Sequence, residues 1–67
     1  LVVVQINGEK REVEAGLTVA RLLEQFGIRP GRVVVELNRN ILSRDAYGPT
    51  FLQEGDTLEI VHFVGGG

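Results

Sequence analysis

Leu17-Thr18-Val19-Ala20-Arg21-Leu22-Leu23-Glu24-Gln25-Phe26-Gly27 places Val19, Leu22, Leu23 and Phe26 at i, i+3, i+4 and i+7. That spacing gathers four apolar side chains on one helical face and leaves Arg21, Glu24 and Gln25 mostly elsewhere. The stretch carries its own boundaries. Thr18 can accept a free backbone N–H of the first turn through its hydroxyl. Leu17 before that cap and Leu22 in the first turns form a hydrophobic staple. Gly27 adopts the left-handed conformation that ends helices, which lets Ile28 fold back onto Leu23. Pro30 prevents continuation. The reading is a short helix over residues 19–26 with one face to bury.

On its N-terminal side, Val2, Val4 and Ile6 alternate with Val3 and Gln5 as a strand requires. Asn7-Gly8 then tolerates positive φ at both positions, the strongest short hairpin signal. The return strand is expected over residues 10–15, with Arg11, Val13 and Ala15 on one face and Glu12 and Glu14 on the other. Its charges suit an exposed edge. On the C-terminal side, residues 33–37 form a β-branched run suited to a central strand. Asn38-Arg39-Asn40 turns the chain and Ile41-Leu42 starts a short return. Residues 43–51 are irregular around Gly48-Pro49, residues 52–56 make a tight or helical turn, and residues 57–64 form the last strand.

A hairpin, one helix, two strands and a final strand make a two-layer α+β domain, with a mixed sheet of four to five strands and one helix packed on one face. The order resembles the ubiquitin-like β-grasp topology. By that analogy, the last strand lies parallel to the first in the middle of the sheet. The domain is expected to span residues 1–64, followed by a flexible glycine tail over residues 65–67.

The size and charge of the chain narrow its chemistry. A domain of 67 residues buries only about 60% of the surface of its unfolded chain, which leaves no room for a deep active site beside a core. The sequence contains no cysteine, so no disulfide framework can hold it in an oxidising compartment. No apolar run reaches membrane-spanning length. The net charge of −2 is dispersed, and Lys10-Arg11 is the only adjacent basic pair, so a nucleic-acid footprint is missing. These features lead us to expect a cytoplasmic protein that binds neither nucleic acid nor membrane, and no resident cofactor.

Gly65-Gly66-Gly67 directly follows the last strand. Three successive glycines lose much entropy on ordering. One reading is a frayed end. The other is a thin strip that threads through a partner's narrow channel on Gly65 and Gly66 and presents the Gly67 carboxylate with little steric bulk. A carboxylate is a poor acyl donor until activated. ATP would convert it to an acyl-adenylate, and a sulfur nucleophile would then leave a thiocarboxylate. The carrier would supply only a terminal acid and a docking surface.

Other residues offer less. His62, the only histidine, has no cysteine or second histidine to complete a metal site, and reads as a structural or half-buried side chain on the face of Leu58 and Ile60. Ser43 and Thr50 lie in loops without a catalytic motif. Val61 and Phe63 fall on the opposite strand face. Together with Val3 and Val34 they make a candidate docking patch, unless loops cover that face. Glu54, Asp56 and Glu59 read as solvated surface, with steering of a basic partner as the other role.

The sequence resembles the ThiS family, the sulfur carriers of thiamine thiazole biosynthesis. The resemblance rests on Val35-Glu36-Leu37-Asn38, Leu52-Gln53-Glu54-Gly55-Asp56 and Glu59-Ile60-Val61-His62-Phe63-Val64-Gly65-Gly66-Gly67, with support from Ile6-Asn7-Gly8 and Thr18-Val19-Ala20-Arg21-Leu22-Leu23. It implies a β-grasp fold and no catalytic residues. It also implies adenylation of Gly67 by a ThiF-like, ubiquitin-activating-type adenylyltransferase that uses ATP. A sulfur donor protein and a ThiG-like thiazole synthase complete the implied partners. Gly66-Gly67 matches the family's terminal diglycine. Two alternatives share parts of this pattern: a molybdopterin-type or other sulfur carrier, and a non-covalent β-grasp interaction module. A small enzyme is the least supported, because no catalytic constellation can be assembled.

Overall fold

The computed structural model describes residues 1–63. Its elements are β1 (Val2–Ile6), β2 (Glu9–Val13), α1 (Val19–Gln25), β3 (Val33–Leu37), β4 (Asn40–Leu42) and β5 (Thr57–His62), with short 3-10 turns at Pro30–Arg32 and Arg44–Ala46. One five-stranded sheet has the order β2-β1-β5-β3-β4. β5 runs parallel to β1 and antiparallel to β3, and so occupies the centre as the β-grasp analogy requires.

The hairpin forms on two residues. Asn7 and Gly8 have φ of 50° and 85°, the left-handed pair whose twist matches flanking strands. Because Ile6 therefore pairs with Glu9, β2 starts one residue earlier than expected. It ends at Val13, paired with Val2, because β1 offers no further partner to residues 14 and 15. Asn38 and Arg39, with φ of 52° and 72°, repeat the same turn between β3 and β4, pairing Leu37 with Asn40.

The helix boundaries follow from hydrogen bonds. The Arg21 N–H donates to Thr18 Oγ1 at 3.2 Å. At the other end, Gly27 has φ of 70°. The Ile28 N–H donates to the Leu23 carbonyl at 2.9 Å and the Gly27 N–H to the Glu24 carbonyl at 3.0 Å, which is a Schellman closure. This closure makes Phe26 the C-cap instead of a core residue, a correction to the helical-face reading. Phe26 is 39% exposed. The Arg11 guanidinium lies 5.3 Å from its ring centroid, a cation–π contact that covers it from β2.

The core lies between α1 and one face of the sheet. Val19, Leu22 and Leu23 from the helix meet Val4 and Ile6 of β1, Val33 and Val35 of β3, and Leu58 of β5, with Tyr47 and Leu52 closing the sides. Leu17, just before the N-cap, and Ile28, just after Gly27, pack against this cluster. Burying such side chains contributes about 1.5–3 kcal/mol each, the main stabilisation available to a sheet with a single helix.

Candidate functional site

β5 delivers the chain to the glycine tail from the middle of the sheet, flanked by β1 and β3. Its position is fixed from both sides. Asn7, in the first turn, accepts from the Ile60 N–H through Oδ1 at 2.7 Å and donates to the Ile60 carbonyl through Nδ2 at 3.3 Å. The side chain thereby extends the parallel ladder beyond the end of β1. Asn38, in the second turn, accepts from the Thr57 N–H and hydroxyl at 3.0 and 3.2 Å and donates to Asp56 Oδ1 at 3.1 Å. Asp56 Oδ2 in turn accepts from the Gln53 N–H at 2.8 Å, which closes the turn that starts β5. The Phe63 N–H donates to the Arg32 carbonyl at 2.9 Å, holding the chain to the sheet one residue past the strand.

Gly65, Gly66 and Gly67, the expected threading and acceptor residues, lie outside the described residues, as does the end of the expected strand at Val64. Of the candidate docking residues, Val34 and Val61 are direct cross-strand partners on the face away from α1. Val61 is 55% exposed and Val34 half-buried. Phe63, 51% exposed, follows at the end of β5. Val3 does not join them. The pairing of Gln5 with Thr57 sets Val3 about six residues back along the strand direction from Val61, roughly 20 Å away. There its N–H donates to Glu54 Oε1 at 2.9 Å.

The same face carries a residue that the sequence reading did not place there. Ile41 is 74% exposed and sits opposite Glu36, which pairs in turn with Glu59. The patch is therefore Val34, Val61 and Ile41 beside two carboxylates. The signal for Ile41 was the two-residue turn at Asn38-Arg39. Once that turn pairs Leu37 with Asn40, strand alternation puts Ile41 on the side of Val34.

His62 occupies the helix side of β5, opposite Val33, but it is exposed, not half-buried. It lines an open cleft of about 300 Å³ with Gly27, Arg29, Arg32 and Phe63. Among the described residues, no group of His, Cys, Asp and Glu side chains could hold a metal ion. No helix among them is long and apolar enough to cross a membrane.

This architecture has close counterparts. The family model described as "ThiS family" matches residues 4–67. The sulfur carrier protein ThiS of Bacillus subtilis is 38% identical over 65 residues, covering 94% of this chain and 97% of that protein. The crystal structure of a thiamine biosynthesis protein (ThiS) from Geobacter metallireducens superposes with a TM-score of 0.83 at 33% identity, covering 98% of this chain and all of that one. A thiazole synthase of Magnetococcus marinus is 47% identical over 64 residues, which are 96% of this chain but 20% of that enzyme, so the chain spans about a fifth of this relative's length. With the sequence matched from its first strand to its last glycine and the five-stranded sheet superposed, the chain belongs to the ThiS family of sulfur carrier proteins.

Proposed function

We propose that this chain carries sulfur as a thiocarboxylate on Gly67 and delivers it to a ThiG-like thiazole synthase in thiamine biosynthesis. An oxygen of the Gly67 carboxylate attacks the α-phosphorus of ATP on a ThiF-like enzyme, and pyrophosphate leaves. Sulfur at the oxidation level of sulfide, supplied through a donor protein, then attacks the acyl carbon, and AMP leaves. The first step turns a poor leaving group, the carboxylate oxygen, into a good one, AMP, and the second uses that activation to form the carbon–sulfur bond, the usual advantage of dividing a transfer. The chain is the cosubstrate of these enzymes. ATP binds to the activating enzyme, and the carrier contributes the tail and the face formed by Val34, Ile41 and Val61.

The observation that carries this reading is the similarity along the whole chain to a sulfur carrier, joined to three glycines separated from the end of the central strand at His62 by only Phe63 and Val64. The pairing with thiazole synthase is supported by the Magnetococcus enzyme, which includes a region similar to this chain within its own sequence.

Deleting Gly67 tests the proposal. ATP–pyrophosphate exchange by the activating enzyme should disappear with the truncated carrier while its melting curve stays unchanged. Exchange at the full-length rate would contradict it.

A further inference from the structure

The cleft beside the last strand differs in character from the apolar sheet face. Arg29 and Arg32, at either end of the Pro30–Arg32 turn, line it with His62, Gly27 and Phe63. A third guanidinium, that of Arg44, lies against the turn between them, because a Cβ built on Gly31 would come within 3.3 Å of Arg44 Nη1. Among the described residues the only ion pairs are Arg11 with Glu9 and Arg21 with Glu24. Among the described residues, the cations around the cleft therefore have no carboxylate partner, Asp45 beside Arg44 included. They form a basic pole on a chain whose net charge is −2.

We propose that this pole is a recognition site for carboxylates on the activating enzyme, at the mouth of the channel that admits the tail. The proposal rests on the carrier reading above and adds the chemistry of the contact. Position is the first argument. Gly67 is four residues beyond Phe63, a reach of at most roughly 14 Å, so the protein that encloses the tail must also face the cleft. Charge is the second. Neighbouring guanidiniums repel one another weakly in water, but they gain when acidic side chains are desolvated against them, and Arg geometry suits bidentate carboxylate contacts. The openness of the cleft is the third. His62, Arg29 and Arg32 are all exposed, so a free small anion would remain solvated and gain little. Acidic side chains already positioned by the sheet-face contact would lose less entropy on binding there. Such complementary charge also speeds and orients encounter.

The test is the affinity of the full chain for purified activating enzyme, measured by titration calorimetry at two salt concentrations, with ATP-dependent modification of Gly67 followed separately by intact mass. Arg29→Glu combined with Arg32→Glu should raise Kd roughly tenfold or more at low salt and flatten its salt dependence. Arg29→Lys with Arg32→Lys should recover part of the loss. Arg21→Glu, on the outer face of the helix, should leave Kd unchanged. All three variants should melt like the parent, because these side chains are exposed. An unchanged Kd in the double-Glu variant overturns the acidic-mouth proposal and leaves the carrier reading standing if Gly67 is still modified. Loss of binding to thiazole synthase alone also overturns it, by assigning the pole to the acceptor. A parent chain that binds but is never modified contradicts the carrier reading, while the affinity comparison still judges the cleft. A parent chain that does not bind overturns both.

Discussion

The side chain of Asn7 reaches from the first turn to both main-chain groups of Ile60, 53 positions further along the chain. Replacing it with alanine removes two hydrogen bonds that hold the central strand, and forces a less tolerant residue into a backbone with φ of 50°. Asn7→Ala should lower stability by about 1–2 kcal/mol, read as a lower denaturant midpoint with the same slope. The turn itself was legible, because Asn-Gly announces its φ angles. The bridge to Ile60 was not, since local pattern does not reveal which distant strand a turn will meet. Phe26 was misplaced for a related reason. Its i+7 spacing fits the apolar face, but Gly27 closes the helix just after it, so the last apolar position becomes a cap. The same limits governed the site residues. Alternation alone could set Val34 and Val61 on one face, whereas pairing them and separating Val3 from them needed the registers of β3 and β1 with β5.

At the scale of elements, α1 has only seven residues, too short to be stable alone in water. Its stability comes from its caps and from the burial of Val19, Leu22 and Leu23. Leu23 is fully buried, and its carbonyl also receives the closing bond from Ile28. Leu23→Ala should therefore cost about 2–5 kcal/mol. In a domain this small that is enough to lower the melting midpoint sharply, as circular dichroism would record. Strand positions were readable where alternation or β-branching was strong, as in β1 and β3, which match their expected limits. The ends of β2 were displaced because pairing, not propensity, sets them. β1 supplies partners for five residues and no more.

The whole molecule separates support from contact. α1 and its core occupy one face of the sheet, while Val34, Val61 and Ile41 remain on the other, beside the strand that leads to the glycines. Val61→Asp should weaken binding to the activating enzyme by about tenfold, since a charge would be desolvated in the contact. The fold should survive, because Val61 is more than half exposed; surface plasmon resonance and a melting curve would check the two halves of that statement. The central claim concerns Gly67 itself. The most direct measurement is the intact mass of the chain after incubation with ATP, a sulfur donor and the activating enzyme. The account predicts a gain equal to the replacement of one oxygen by one sulfur, absent when Gly67 is deleted. An unchanged mass, with the same enzyme modifying a known ThiS carrier in parallel, would contradict it.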